Sequence, residues 1–429
     1  MNLVTNLKRY ISFENVFVLL LILLPFHVII SVFLQYKLGI PGAGLYKELL
    51  LFILGILLIY KFYSLNKKPS FDKLDYLIFG YFIYLILISI IKFYSVKAIV
   101  YGGRYDFEFL LIFLIVRHGS FLLKEKLSHY IKVFLISAGI AILSGIIVRF
   151  IIGEGVLVYF GFSSHISSWS ITEGPPIYHG VEGANVRRFQ GIFDGPNQAA
   201  FLLIVFSGLL FHYMKNKKDK LFYLYSILFV CFGLVFFTYT RSALIGIILS
   251  LGFIFVLNFK LFLTKYRKES ITALVFIAIL GSVFYIRYGG NMGEIVGRAS
   301  STKGHYERMI IGFNQFLGEP LGRGLSSSGP GYRLTRDTVN VDEKNFIPES
   351  WYIQQLVEGG IIGFILFVSI MGIIALTIYN ISIPVFFSFI AVLVMNLLLH
   401  TFEASYISML LFMILGLFLK KKYTYNTKK

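Results

Sequence analysis

Apolar residues in this chain gather into runs of roughly 17–25, the length a helix needs to cross about 30 Å of hydrocarbon. Cutting the runs at charged residues, Gly and Pro predicts spans over 14–35, 44–63, 71–94, 105–122, 129–152, 196–214, 219–238, 241–258, 269–287, 351–377, 383–400 and 403–420. No alternating barrel pattern competes. The first run, Val16 to Leu34, follows Lys8 and Arg9 as a secretory signal would, but it is longer than a signal's apolar core and lacks a small-residue cleavage site. It reads as a retained helix. The pattern therefore predicts an all-α polytopic membrane protein of about twelve transmembrane helices. N-terminal helices fill 1–152, a first extracytoplasmic loop covers 153–195 and central helices 196–287. A larger extracytoplasmic loop follows over 288–350, then C-terminal helices over 351–420 and a cytoplasmic tail over 421–429. Within the larger loop, HYERMIIGFNQFLG has amphipathic helical spacing and is expected to lie along the membrane surface. The spans are expected to be nearly free of charge, the fourth excepted, which carries Asp106, Glu108 and Arg117.

Composition agrees with a membrane setting: hydrophobic residues make up 57% and charged residues 14%, with a mean hydropathy of +0.77. Soluble domains carry about a quarter charged residues. The net charge of +18 follows from topology, because six short segments between or beside the spans, from KRY at the start to the KKKYTYNTKK tail, hold more than half of the 40 Lys and Arg. The positive-inside rule then places both termini in the cytoplasm. Some of these cations are expected to meet anionic membrane lipids, at about 1 kcal/mol each; nucleic-acid binding is not implied. The single cysteine, Cys231, permits no intramolecular disulfide, and the 8 histidines show no paired ligand spacing. No metal and no cofactor are expected.

The two long loops are where chemistry is expected, since loops of that length are functional or disordered. Arg187, Arg188 and Arg241 fall at outer helix ends, with Arg298, Arg308, Arg323, Arg333 and Arg336 in the second loop, whereas the inner segments favour Lys. A topological or headgroup role needs only charge; a planar guanidinium grips phosphate through two hydrogen bonds at once. Outer arginines on this scale point to a phosphate ligand, with headgroup snorkelling as the alternative for each.

RFQGIFDGPNQAAFLL resembles the motif at the outer mouth of a central helix in the O-antigen ligase and polymerase superfamily, and TRSALIG resembles that family's next arginine motif. GHYERMIIGFNQFLGEPLGRGLSSSGP is similar to its outer-loop helix and Gly-rich turn, and PESWYIQQLVEGGIIGFILF to its segment re-entering the membrane. The four motifs occur in order over about residues 185–370. The resemblance implies a metal-independent glycosyltransferase on the outer face of the cytoplasmic membrane. It would take a glycan from a polyprenyl diphosphate carrier and join it to an acceptor hydroxyl on a lipid or another glycan.

Under that reading Arg188 and Arg241 clamp the diphosphate as negative charge develops on it. Arg187 points the other way from Arg188, as neighbours in an extended stretch do, and only one of the two is expected to be essential. Many ligases of the family carry a histidine in the motif that here reads PESWYIQQL; Glu349 stands in this chain and is the candidate base, with His305 in reserve. Asn197, at a helix start, and Arg323 are candidate substrate contacts. Gly322, Gly324 and Ser326 to Ser328 could offer backbone amides to sugar or phosphate, or form a merely flexible turn. Trp169 and Trp351 map to the outer boundary, where an aromatic belt forms; Trp351 is also a candidate to stack on a sugar. Ligase-type transfer stands ahead of polymerisation of O-antigen or capsular repeats. A transporter of lipid-linked glycans is the alternative from another class, disfavoured by the absence of a repeated half and of mid-membrane charge.

Overall fold

A computed structural model describes residues 12–92, 94–165, 174–181, 184–217, 220–257, 299–335 and 348–421. Helix α1 (Phe13–Leu23) starts where the Ser12 hydroxyl accepts the Asn15 N–H at 3.1 Å, and a turn containing Pro25 joins it to α2 (His27–Val32). Next come α3 (Tyr46–Ser64) and α4 (Lys73–Ile91), the latter opened by an Asp72–Asp75 capping box. Helices α5 (Val96–Asp106), α6 (Glu108–Gly119) and α7 (Leu127–Ile147) complete the N-terminal part. An antiparallel hairpin, β1 (Gly180–Val181) and β2 (Ala184–Arg187), leads into α8 (Pro196–Met214). The rest comprises α9 (Leu221–Phe237), α10 (Arg241–Leu257), α11 (Ala299–Gly318), α12 (Gly329–Thr335), α13 (Trp351–Ile381), α14 (Ile383–Leu398) and α15 (Ser405–Phe418).

Among the described residues, 6 helical stretches are long and apolar enough to cross a membrane, and four shorter apolar helices accompany them. The expected span over 269–287 lies outside the described residues. Where the fourth span was expected over 105–122, the chain instead turns at Phe107 between α5 and α6, and α6 runs only from Glu108 to Gly119. Helix α5 packs on α12, and α6 packs on α15.

The bundle interior is richer in charge than the apolar runs suggest. Lys47, fully buried, reaches Glu108 at 2.8 Å and Glu48 at 2.7 Å, and Arg104 meets Glu48 at 2.5 Å. Arg117 pairs with Asp72 at 2.6 Å and with Asp75, and Lys421 joins Asp72 at 2.7 Å. The expectation of nearly charge-free spans is thus corrected. Lys47 and Glu108, and Arg117 and Asp75, pair between helices, which offsets the cost of their desolvation.

Helix α13 is interrupted at Gly360, whose φ of 57° is left-handed backbone and breaks the helical ladder. The turn Pro320–Gly324 fills the break. Arg323 and Gly324 donate backbone N–H groups to the Val357 and Glu358 carbonyls at 2.9 Å each, and Ile361 donates to the Pro320 carbonyl at 2.9 Å. A Cβ on Gly360 would stand 2.3 Å from the Leu321 carbonyl carbon, so only glycine fits. Leu325 to Ser328 are buried behind this turn: Ser326 donates to the Ala98 carbonyl at 2.7 Å, and the Ser328 N–H reaches Glu358 at 3.2 Å. The Gly-rich stretch, expected as a flexible or ligand-binding turn, is a buried plug that satisfies the backbone of a broken helix.

Candidate functional site

Three segments converge beside the hairpin. Arg188 follows β2 directly; its backbone N–H donates to the His179 carbonyl at 2.9 Å, and the next N–H, of Phe189, to the Phe237 carbonyl at 2.7 Å. The RFQGIF stretch is thereby fixed against the end of α9. Pro196 occupies the first turn of α8, where a missing N–H costs nothing, and this sets Asn197 at the helix mouth. Between α9 and α10 the chain reverses at Tyr239, whose φ of 51° is left-handed. That reversal puts Thr240 and Arg241 at the start of α10.

The Arg188 guanidinium is held on its protein side. Its Nε donates to the Thr238 carbonyl at 2.7 Å, and one terminal nitrogen donates to Thr240 Oγ1 at 2.9 Å and Asn197 Oδ1 at 3.1 Å. The Thr240 hydroxyl in turn donates to Asn197 Oδ1 at 2.9 Å. This network sets the direction of the guanidinium before any ligand arrives.

Helix α11 closes the opposite side. Gly312 lets it approach the 348–353 segment: a Cβ there would lie 2.6 Å from Ile353 Cγ2 and 2.9 Å from Pro348 Cβ. That contact brings His305, Tyr306 and Met309 to the cavity edge. The result is a cavity of about 400 Å³ lined by Arg188, Asn197, Tyr239, Thr240, Arg241, Ser242, Ile245, His305, Tyr306, Met309, Leu398 and Leu399. The volume lies in the range of small-molecule sites. Arg188 and Arg241 give its polar lining two positive charges and no carboxylate lines it among the described residues, and its apolar lining comes from α10, α11 and the end of α14.

Glu349 is not in the cavity wall; it stands behind His305. Its carboxylate lies 3.1 Å from His305 Nδ1 and 4.0 Å from His400 Nδ1, and it pairs with Arg308. Burial works to raise its pKa, but the His305 contact, the His400 and His305 charges and Arg308 outweigh it and hold the group down at about 2. Glu349 is therefore ionised at neutral pH and a weak base. Its φ of 55° is left-handed for a non-glycine residue, a conformation that costs about 1–2 kcal/mol and persists only where the surroundings enforce it.

Arg188, Arg241, Asn197 and His305 thus share one cavity. The other expected site residues lie elsewhere. Arg187 turns away to Glu154 at 3.1 Å and stacks over Tyr178 at 4.4 Å. Arg323 pairs with Glu319 at 2.9 Å, beside the helix break. Trp351 is fully buried among Phe109, Phe367 and Phe402, which leaves its ring no face for a sugar and no place in an interfacial belt. Arg298, Arg336, Trp169 and the Arg333 side chain lie outside the described residues.

Sequence reasoning missed His400 and Glu403, which it treated only as a tight turn between two spans. His400 Nε2 lies 3.3 Å from Glu403. A histidine and a carboxylate three residues apart, in a turn otherwise bounded by apolar runs, were the available signal. It also missed Asp194, whose carboxylate accepts the Tyr406 hydroxyl at 2.8 Å and which burial raises to about 6.

Residues 226–368 of the 429 match a family model described as O-antigen ligase. The matched stretch contains Arg241, His305 and Glu349, and Arg188 precedes it. No curated protein matches the chain.

Proposed function

We propose, from the O-antigen ligase/polymerase superfamily assignment that this match supports, that the cavity transfers a glycan from a polyprenyl diphosphate carrier to an acceptor hydroxyl at the outer face of the membrane. The observation that carries the reading is that two guanidinium groups and an imidazole, from three separate segments, line one cavity. Arg188 and Arg241 hold the diphosphate. As the acceptor oxygen bonds to the anomeric carbon, the bond from that carbon to the phosphate oxygen breaks, and the electron pair leaves with the diphosphate. Preset cations stabilise that charge, and loss of one such group typically costs 10²–10³ in rate.

His305, rather than Glu349, takes the acceptor proton. It borders the cavity, whereas Glu349 is a weak base behind it. Glu349 orients the ring through Nδ1 and leaves Nε2 for the hydroxyl, the division of labour seen in carboxylate–imidazole pairs generally. The family resemblance leaves ligase-type transfer ahead of polymerisation, and the acceptor is a lipid or another glycan.

A carrier of lipid-linked glycan is the second reading, favoured by the buried Lys47–Glu108 pair, since charge inside spans often marks a transport path. One experiment separates the two. Arg241→Ala is introduced, and the lipid-linked glycan that accumulates is measured on each side of the membrane. The transferase reading expects donor stranded outside with transfer lost; accumulation inside, or unchanged transfer, overturns it.

A further inference from the structure

A second cavity lies at the other end of α13. The first residue of that helix, Trp351, donates its N–H at 3.0 Å to the carbonyl of Leu399, which lines the site cavity. Its last turns, from Ile373 to Ile381, line a separate cavity of about 520 Å³. The start of α4 and the residues just past α15 complete the wall. Arg117 of α6 fixes the latter: its Nε donates to the Leu419 carbonyl at 3.0 Å, and its own carbonyl accepts the Lys421 N–H at 3.2 Å. Lys420 sits between these two anchors, and Lys73 opens the helix that the Asp72–Asp75 capping box starts. Two exposed lysines thus line the cavity from backbone that the fold holds in place.

The charge there does not cancel. Arg117 and Lys421 are matched by two carboxylates: Arg117 by Asp72 at 2.6 Å and by Asp75, Lys421 by Asp72 at 2.7 Å and by Asp75 at 3.2 Å. Lys73 and Lys420 have no carboxylate at ion-pair distance among the described residues, so the cavity carries two positive charges in excess. The rest of the wall is mostly apolar. Ile373, Thr377 and Ile381 lie four residues apart on one face of α13, a strip about 12 Å long, with Leu74 and Phe418 also in the wall. The Thr377 hydroxyl donates to the Ile373 carbonyl at 2.7 Å and is thereby satisfied within the helix. Both α4 and α13 are long and apolar enough to cross a membrane, and the cavity lies at the ends of both, where headgroups meet hydrocarbon. A ligand that fits joins a negative charge to an apolar chain. We propose that this cavity binds an anionic phospholipid, its phosphate at Lys73 and Lys420 and an acyl chain along the strip from Ile373 to Ile381. Basic pockets between membrane helices take such headgroups. A water-soluble phosphate would meet the two charges and leave the strip uncovered. The site is separate from the transfer cavity, and the inference does not depend on what that cavity does.

The full-length protein in detergent is titrated with phosphatidylglycerol and with phosphatidylcholine, and bound lipid is counted by native mass spectrometry. Wild type is expected to bind the anionic lipid more tightly than the zwitterionic one. Lys73→Gln/Lys420→Gln weakens phosphatidylglycerol binding by about 5-fold for each lysine removed and leaves phosphatidylcholine unchanged; Lys73→Arg/Lys420→Arg, which keeps the charge, restores the preference. A wild type without preference, or a preference that survives loss of both lysines, overturns the proposal. Lys61→Gln/Lys68→Gln serves as the comparison, since it removes two exposed lysines that precede α4 and lie outside the cavity wall. It is expected to change nothing, and a loss equal to that of the cavity pair would reduce the effect to general attraction by a basic surface and overturn the site. Thr377→Trp fills the apolar strip without touching the charge and lowers phosphatidylglycerol binding; unchanged binding overturns the placement of the chain. Soluble glycerol phosphate in excess leaves the lipid bound, and displacement would show that the charge alone is recognised and overturn the lipid as ligand. The lysine variants decide the question even where Thr377→Trp does not fold.

Discussion

Glu349→Gln preserves side-chain size and removes the charge that organises the cluster behind the cavity. A carboxyl held at about 2 against an ordinary 4.5 carries, at neutral pH, favourable interactions on the order of 3 kcal/mol. With the side chain 12% exposed, solvent screening removes little of this. The direction is that of a depressed carboxylate. Its contribution is complete above the ordinary 4.5 and fades as pH falls toward about 2. Unfolding of the detergent-solubilised protein, followed by tryptophan fluorescence in denaturant, compares variant and wild type. At pH 7 Glu349→Gln is expected to be less stable by up to about 3 kcal/mol. Part of that is returned, because the variant no longer desolvates a charge and the glutamine amide still pairs with its neighbours. Between pH 5 and pH 2.5 the gap should close, since the wild-type carboxylate is then taking up its proton. An equal gap at both ends of that range, or no gap at pH 7, would refute the account of Glu349 as an ion held by Arg308 and the His305 and His400 rings.

Three further outcomes follow from separate parts of the molecule. Arg188→Lys keeps the charge but cannot reproduce the contacts to Thr238, Thr240 and Asn197, so kcat of transfer is expected to fall by about 10²-fold; Arg187→Lys, whose partner Glu154 meets a half-exposed guanidinium, changes it less than about 5-fold. Gly360→Ala forces a Cβ into the Pro320–Gly322 backbone at a left-handed φ and is expected to destabilise by about 2–4 kcal/mol in denaturant unfolding, with no loss if the helix break is incidental. Asp194, raised by burial to about 6, favours its neutral form in the fold, so its ionisation costs stability as pH climbs from its ordinary 3.8 to about 6. Asp194→Asn should therefore gain on wild type across that window, and parallel pH profiles would count against it.

The spans over 44–63, 71–94, 129–152 and 196–214 could be read because a transmembrane helix satisfies its own backbone, so local apolar run length nearly determines it. The observed helices at Tyr46–Ser64, Lys73–Ile91, Leu127–Ile147 and Pro196–Met214 agree with those expectations. The break at Gly360 could not be read that way. Its carbonyls are satisfied by Arg323 and Gly324, more than thirty residues earlier, and nothing in VEGGIIG states that a distant turn will fill the gap. The buried charges failed for the same reason: Lys47 and Glu108 sit 61 residues apart, and each alone looks like the flank of a span.

At the cavity the division is sharper. That Arg188 and Arg241 would meet at one cavity could be anticipated because a guanidinium at the mouth of an apolar run needs a reason, and a shared phosphate ligand is one that the chemistry offers. The order of His305 and Glu349 could not, because the motif position put Glu349 first although ordinary basicity favours a histidine, whereas their order in space is decided by Gly312, which lets α11 close on Pro348 and Ile353. Once that contact is made, the imidazole faces the cavity and the carboxylate stands behind it with His305, His400 and Arg308 around it. Under the proposed reading, a carboxylate at the position where related ligases often carry a histidine orients an imidazole supplied by α11, a pairing that a motif read along the chain cannot state because the two residues come together only in space.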